Sequence, residues 1–212
     1  MTIKPSKPGA SFAWRWHYGL RTLKSAYQTS RAATDEERRS IDRRAEEYQK
    51  RVDRGEASWD ECDEEGNLVY SHGEHLGDEM HDVLNVLTLV KLAFVISLHH
   101  YVEQRLAPRL PRKPNGETRY DPQAAYAWLK DFGWEVKDKQ LEELRLAANC
   151  AKHSEGKSAR ELFDLRPDMF DTDKIGMGFD PGYDSLKLTD AHIDVFFEAV
   201  KDSVPDNLGL AF

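Results

Sequence analysis

A long apolar helical pattern constrains the fold more than any other feature of the sequence. Residues 75–106 follow helical spacing, and their central part, residues 83–98, is apolar almost all round. A helix of this kind is buried in the core of a protein or lies in a membrane. Asn85, Thr88 and Lys91 interrupt the apolar run before it reaches the roughly 20 residues that a bilayer requires. We therefore expect a central buried helix and no membrane span.

The sequence before this helix predicts a charged helical hairpin. Helical spacing predicts a first helix over residues 11–33. Thr34 and Glu37 match a capping box, so a second and nearly all-charged helix is expected to begin there. It should end before the acidic stretch 57–74, which is predicted to be a loop. Residues 1–57 would then form an N-terminal helical hairpin or arm.

Prolines and capping residues divide the rest of the chain into short helices. These helices are predicted from Asp121 to near Gly133, over residues 138–153, from Ser158 to Arg166, and after Thr189. Residues 168–185 are rich in Asp, Gly and Pro and are expected to form a surface loop. There is no internal repeat and no convincing strand. The sequence predicts an all-α fold, with residues 74–212 in a bundle and about five to seven helices in total.

Charge and cysteine content narrow the class of protein. The 212 residues include 30 Lys and Arg against 38 Asp and Glu, a net charge of −8, which disfavours a general nucleic-acid coat but allows local phosphate-binding clusters. Cys62 and Cys150 show no disulfide or metal-ligand spacing. No signal peptide is readable, so a cytoplasmic protein is expected. The lack of GxGxxG, P-loop, nucleophile-elbow and HExxH motifs disfavours the chemistries that depend on them.

The most informative segment is the predicted helix at residues 141–153. One of its faces carries Leu141, Leu144, Ala148 and Ala151. A polar stripe occupies an arc of about 100° beside that face and consists of Glu142, Arg145, Asn149, Lys152 and His153. At the helix end the dipole favours the imidazolium form of His153. A His that exchanges protons near neutrality, with Arg and Lys to hold a phosphate, provides what acid–base cleavage of RNA requires.

A polar helix closing on Arg, Asn and His resembles the signature helix of the HEPN superfamily. Residues 148–156 are also similar to the end of this helix in uncharacterised bacterial HEPN-like proteins. The resemblance covers this motif and the helical pattern from about residue 75 onward. It implies a helical bundle, a homodimer in which two such helices meet, and a metal-independent endoribonuclease that acts as a toxin or antiviral defence effector. It implies no cofactor.

The resemblance assigns catalytic roles to Arg145, Asn149 and His153. Asn149 and His153 occupy the polar and His positions of the motif. Ala148 stands where the motif has Arg, and Arg145 lies one turn earlier in a direction about 60° away. This departure favours a rival reading, in which the bundle is a non-catalytic interaction module or regulatory subunit. Its charged helix 34–56 and acidic loop would then bind a partner or antitoxin protein.

Residues outside the stripe supply further candidates. Lys152, Arg105 and Arg109 are candidate substrate-binding residues, the latter two in a basic connection that also contains Arg112 and Lys113. Glu103 and Glu142 are candidates for orienting Arg145 or His153. Trp128 and Trp134 are interpreted either as stacking platforms for bases or as core residues.

Histidines elsewhere in the chain leave a metal site as a third alternative. They are His72, His75, His81, His99 and His100. Carboxylate-bridged metal bundles need Glu-x-x-His on two helices, and only one imperfect copy occurs here. Hydrogen bonding of His99 and Glu103 within the bundle is therefore favoured, and no metal is predicted.

A homodimer is also expected from the composition of the stripe helix. In a monomer its small residues would have no close partner and its charges would be ordinary surface. A two-fold interface through this helix would bring Arg145 and His153 of both chains together. Such an interface should bury more than about 1,000 Å² in total.

Overall fold

The computed structural model describes residues 9–110 and 120–206, and within these ranges the chain forms seven α-helices. They are α1 (Ala10–Asp53), α2 (His72–Leu106), α3 (Pro122–Lys130), α4 (Asp138–His153), α5 (Lys157–Leu165), α6 (Thr172–Gly176) and α7 (Asp190–Asp202). Single 3-10 turns lie at Ala107–Arg109, Pro167–Met169 and Tyr183–Ser185. The prediction of an all-α bundle with a long central helix is confirmed. The expectation that the apolar part of this helix is buried is wrong for its first half, because Leu84, Val86 and Leu89 are exposed.

The N-terminal segment forms one helix where two were predicted. α1 continues for 44 residues through Thr34 without a break. The Thr34 hydroxyl donates to the carbonyl of Ser30 at 3.0 Å, a bond typical of a helix interior and not of a cap. No Gly or Pro occurs between Gly19 and Gly55, so nothing in the sequence forces the helix to end at the capping box. The helix break predicted at Thr34 is wrong.

The predicted acidic loop contains a small antiparallel sheet. Strands β1 (Asp60–Cys62) and β2 (Leu68–Ser71) pair across a turn in which Asp63 accepts hydrogen bonds from the amides of Glu65 and Asn67, at 2.9 and 2.8 Å. The strand residues are almost all exposed, so they lack the alternation of buried and exposed residues by which a strand is recognised in a sequence. The loop prediction for residues 57–74 is therefore wrong for both strands, and α2 begins at His72.

Contacts divide the chain into two compact units. The core unit comprises Met1–Ala26 and Lys91–Phe212, and the hairpin unit comprises Tyr27–Val90. In the core unit, Trp16 is 1% exposed and its indole nitrogen donates to the carbonyl of Val200 at 3.1 Å. Gly19 allows α2 to approach α1, because a Cβ atom there would lie 2.5 Å from the hydroxyl oxygen of Tyr101. These contacts join the start of α1 to α2 and α7.

Helix α4 is the packing centre of the C-terminal half of the core unit. It packs against α5 and α7, and its predicted apolar face is buried. Ala147, Ala148 and Ala151 are among these buried residues, so their close partners lie within the same chain. The inference that these small residues need a second chain is therefore wrong.

A buried ion-pair network links α4 to the elements that follow it. Glu143 on α4 is 2% exposed, and Arg166 donates to its carboxylate at 2.6 Å. Arg166 also pairs with Asp168 at 2.8 Å, and the His192 ring nitrogen lies 3.0 Å from the same Asp168 carboxylate. The Arg166 hydrogen bond is the main reason why the pKa of Asp168 lies well below its ordinary value.

Helix caps were predicted from the sequence for α3, α5 and α7, and the predictions for α3 and α7 are confirmed. The Asp121 carboxylate accepts from the amides of Gln123 and Ala124, and Thr189 caps α7 through the amide of His192. At α5 the predicted Ser158 cap is wrong, because the helix begins at Lys157 after Gly156 and has no side-chain cap. The predicted loop 168–185 contains α6, two of the 3-10 turns and a bridge from Phe170 to Leu186.

The hairpin unit has a thin core and carries the acidic charge of the protein. It buries three large apolar side chains, those of Tyr27, Ile41 and Leu76. It exposes six, those of Leu68, Val69, Tyr70, Leu84, Val86 and Leu89. It holds 8 of the 30 Lys and Arg and 17 of the 38 Asp and Glu, so its net charge is −9. The rest of the chain is close to neutral.

The segment His72–Arg109 is long and apolar enough to cross a membrane when judged by length and composition. In its most apolar window 28% of the residues are buried. Core helices and secretion signals meet the same criterion, so composition alone does not assign a membrane here. The expectation that the protein does not enter a membrane stays a prediction.

Candidate functional site

Helix α4 presents the predicted polar stripe on the surface of the core unit. Arg145 and Asn149 are half-buried, and Lys152 and His153 are exposed. The neighbouring face, which carries Ala148, is buried. The helical periodicity of the sequence was thus sufficient to separate the reactive side chains from the packing ones.

Two of the candidate catalytic residues share a pocket. Asn149 and His153 line a cavity of about 220 Å³ at the point where α4 ends and α5 begins. Lys157 and Ser158, the first two residues of α5, line it as well. The amides at a helix N-terminus carry partial positive charge, and Lys157, which also pairs with Glu161 at 3.5 Å, adds a full one. The carboxylate of Glu155, which lines the same pocket, opposes this charge. The helix amides and Lys157 are the groups here that a phosphate would contact.

The connection between α4 and α5 is held in an unusual backbone conformation at the wall of this pocket. Ser154 has a φ of 60° and is the only non-glycine residue with a positive φ in the part of the chain that the structure describes. Its amide donates to the carbonyl of Cys150 at 3.0 Å, which closes the end of α4. Sparsely populated conformations of this kind concentrate at ligand sites.

Cys150 also lines the pocket, and burial raises the pKa of its thiol to about 11, so it is not a thiolate near neutrality.

Arg145 does not line this pocket and is engaged elsewhere. Its guanidinium makes two hydrogen bonds to the Glu142 carboxylate, at 2.9 and 2.6 Å. The same pair lowers the pKa of Glu142 and raises that of Arg145. Glu142 thus orients Arg145, and a phosphate would have to compete with it for the guanidinium.

His99 on α2 is buried, and the charges of two stripe residues, Lys152 and Arg145, act on it. It is 4% exposed, and neither ring nitrogen has a hydrogen-bond partner in the described part of the chain. Its Nδ1 lies 3.7 Å from a carboxylate oxygen of Glu103. Burial lowers the pKa of His99 to about 4; Glu103 opposes this shift, and the positive charges of Lys152 and Arg145 add to it. His99 is therefore neutral at physiological pH.

Glu103 does not hold the residues that it was predicted to orient. Its carboxylate lies 3.7 Å from Nδ1 of the neutral His99 and 3.5 Å from Nδ1 of His100, both on its own helix. Residues three and four positions apart face each other on a helix, so these local partners engage the carboxylate.

We expect the buried His99 to make stability fall in mild acid. The unfolded chain binds a proton at His99 below its ordinary pKa of 6.5, whereas the folded protein does so only near pH 4. The free energy of unfolding should therefore drop by up to about 3 kcal/mol as the pH falls from 6.5 to 4. In His99→Leu this part of the pH dependence should vanish, and in His100→Ala, at the exposed neighbouring position, it should persist. Urea denaturation at a series of pH values measures the free energy of unfolding. If this free energy fell equally with pH in wild type and in His99→Leu, the assignment would be contradicted.

Two residues of the predicted basic connection pack on aromatic rings, Arg105 in the last turn of α2 and Arg109 in the 3-10 turn that follows. The guanidinium of Arg105 lies 5.0 Å from the ring centre of Tyr101, and that of Arg109 lies 5.5 Å from the ring centre of Phe12. Neither residue lines the pocket of His153. Arg112 and Lys113 lie outside the described residues.

Trp128 and Trp134 belong to the core. Both are buried, and both pack against Phe12 and Phe132. The alternative that these two rings stack on bases is wrong, because bases cannot reach their faces.

Two of the histidines considered as metal ligands, His72 and His75, have other partners. His72 stacks on Tyr48 with ring centres 3.8 Å apart, and His75 lies 3.1 Å from Glu79. Within residues 9–110 and 120–206, no group of three or more His, Cys, Asp or Glu side chains is placed to hold a metal ion.

Sequence reasoning missed the residues that α5 contributes to the pocket. Lys157 and Ser158 follow Gly156, whose φ of 136° favours glycine and turns the chain so that α5 starts beside His153. The only signal for this in the sequence was Gly156, three positions after the end of α4. Comparisons with family models, with curated proteins and with solved structures gave no match for this chain.

Proposed function

We propose that this protein is a HEPN-like endoribonuclease that needs no metal and acts as a toxin or antiviral defence effector. The observation that carries the proposal is the open pocket in which Asn149 and His153 meet the N-terminus of α5. It combines an imidazole, an amide side chain and a helix N-terminus that a phosphate could contact. The resemblance of the stripe to the HEPN signature supports the same chemistry.

The reaction proposed for this site is an internal transfer at phosphorus. The ribose 2′-oxygen attacks the adjacent phosphate while His153 accepts its proton. The bond from phosphorus to the 5′-oxygen breaks, and that oxygen takes up a proton from a second imidazole. The products are a 2′,3′-cyclic phosphate and a 5′-hydroxyl. Lys157 and the amides of α5 stabilise the negative charge that develops on the phosphate oxygens.

The remaining candidate residues take binding roles in this proposal. Lys152 and Arg145 lie beside the pocket on the same stripe, and each neutralises backbone phosphates of the RNA, Arg145 after exchange with Glu142. Arg105 and Arg109 contact the RNA at a distance from the reacting bond.

A homodimer completes the proposed site, because a second His153 is needed as the acid. The solvent-facing stripe of α4 is the surface on which two chains would meet. We expect sedimentation at micromolar concentration to give twice the mass of 24.4 kDa. Replacement of Glu142 by Lys should shift the protein towards monomer, since paired Arg145 and Lys152 side chains would lose their counter-charge. A wild-type monomer under these conditions would contradict the composite site.

Incubation of the purified protein with mixed RNA in EDTA tests the function. Cleavage should proceed equally with and without EDTA, and DNA of the same length should stay intact. Failure to cleave RNA, or a requirement for a divalent metal, would overturn the proposal.

An interaction module is the second candidate function, and two observations favour it. Ala148, at the Arg position of the motif, is buried, and Arg145 is already paired with Glu142. The hairpin unit exposes more large apolar side chains than it buries and has a net charge of −9. A basic, amphipathic partner protein or antitoxin fits such a surface. Under this alternative, RNA stays intact in the same assay.

A further inference from the structure

A second pocket adjoins that of His153 and shares a wall with it. Its volume is about 350 Å³, and Ser154 and Glu155 line both cavities. The other walls come from the segment between α6 and the 3-10 turn Tyr183–Ser185. All of these residues belong to the core unit. Its volume falls within the range of about 300–1,000 Å³ that is typical of small-molecule sites.

The lining of this pocket offers large apolar surfaces that the fold does not use. Met177 is 77% exposed and Phe179 is 59% exposed, although both are large apolar residues. Tyr183 is half-buried in the same pocket. Exposed aromatic rings at the mouth of a concave site are the surfaces on which nucleobases stack.

The polar groups of the pocket are mainly hydrogen-bond acceptors. Asp180, Asp184 and Glu155 line it with carboxylates, and the Asp180 carboxylate also lies 3.8 Å from the guanidinium of Arg160. Lys174, a basic residue of the lining, donates to the backbone carbonyl of Asp184 at 2.8 Å. Three carboxylates against one lysine disfavour a phosphate in this pocket and favour a group rich in N–H donors.

The wall between the two pockets is built by close packing. A Cβ atom at Gly182 would lie 3.1 Å from Cγ of Glu155, so the lack of a side chain at this position lets Glu155 stand between the cavities. The φ of Gly182 is −171°, an extended conformation open to any residue. Space, and not backbone conformation, thus accounts for glycine at this position.

We propose that this second pocket binds a guanine base of the RNA beside the phosphate that is cleaved. Guanine presents two adjacent donors, N1–H and the exocyclic amine, which one carboxylate of Asp180 or Asp184 accepts together. Its ring stacks on Phe179, and its 3′-phosphate reaches the pocket of Asn149 and His153 past Ser154. This assignment rests on the proposed function and adds to it a base preference for the nucleotide on the 5′ side of the broken bond.

Binding of nucleotides that the protein cannot cleave tests the proposal. The probes are the 3′-monophosphates of the four 2′-deoxynucleosides, titrated into the full-length protein by calorimetry. The guanine nucleotide should bind at least about 10-fold more tightly than the other three. Phe179→Ala should weaken its binding by about 5- to 100-fold, which is the usual effect of losing one stacked base. Val195→Ala, at an exposed apolar position outside both pockets, should bind as wild type does.

The carboxylates give a second, independent readout. Asp180→Ala or Asp184→Ala should reduce the preference for guanine and leave the weaker binding of the other three nucleotides unchanged. Equal binding of all four nucleotides, no effect of Phe179→Ala, or no effect of either Asp variant would overturn the assignment. Because these probes lack the 2′-hydroxyl, the result is independent of catalysis. RNA cleavage without base preference would contradict the guanine assignment but not the nuclease function. Guanine binding without RNA cleavage would contradict the nuclease function but not the guanine assignment.

Discussion

His153→Ala should lower the rate of RNA cleavage by at least about 100-fold, since general acid–base catalysis by one side chain typically contributes a factor of about 10² to 10⁴. In a dimer the loss is larger still, because both the base and the acid are removed. The fold should be unaffected, because His153 is exposed at the last position of α4. Initial rates on a labelled RNA in EDTA, with circular dichroism to check folding, measure this.

Two matched variants make this result specific to the pocket. His81→Ala removes an exposed His in the hairpin unit and should leave the rate unchanged. Lys157→Ala removes a charge that lines the pocket but no proton-transfer group, and a loss of about 10-fold is expected. Cleavage by His153→Ala at the wild-type rate would show that the activity belongs to another site or to a contaminant.

Arg166→Ala should destabilise the protein by about 3–5 kcal/mol, which is the typical result of removing one partner from a buried ion pair. Glu143 would remain buried at 2% exposure with only the exposed Lys139, 4.0 Å away, in place of the guanidinium that donates to it at 2.6 Å. The same change releases Asp168, which also holds His192 of α7. Urea denaturation measures the loss as a lower midpoint at an unchanged slope.

Two further variants show whether the loss of stability in Arg166→Ala comes from the burial of Glu143 or from the loss of any ion pair. Arg54→Ala breaks an exposed pair with Glu56 and should leave the urea midpoint almost unchanged, because water screens exposed pairs. The double variant Glu143→Leu with Arg166→Met should regain most of the stability, because apolar residues of similar volume replace a buried pair with little loss. A loss below about 1 kcal/mol in Arg166→Ala would contradict the structural role of this network.

The sequence was most informative where local signals agree with packing. α4 has its predicted bounds, Asp138–His153, because its apolar face, its polar stripe and the following Gly156 all indicate the same helix. Asp121 followed by Pro122 located the start of α3 for the same reason. At Thr34 the capping signal stood alone inside a run of good helix formers, and the helix continued through it.

The candidate site could be predicted only in part, because half of it depends on tertiary structure. His153 and Asn149 share a stripe by periodicity alone. Lys157 joins them only because the turn at Ser154 and Gly156 brings α5 back against the end of α4. The burial of His99 likewise depends on how α2 packs within the core unit, which helical spacing does not specify.

A DNA strand that contains one ribonucleotide distinguishes attack by a 2′-hydroxyl from hydrolysis by water. Incubated with the protein in EDTA, this strand should be cut at a single position, on the 3′ side of the ribonucleotide. The fragments should carry a 2′,3′-cyclic phosphate and a 5′-hydroxyl, as mass spectrometry can establish, because only that residue has the 2′-hydroxyl that attacks the phosphate. Cleavage at deoxyribonucleotides, fragments with a 5′-phosphate, or an intact strand under conditions where RNA is cut would contradict the account.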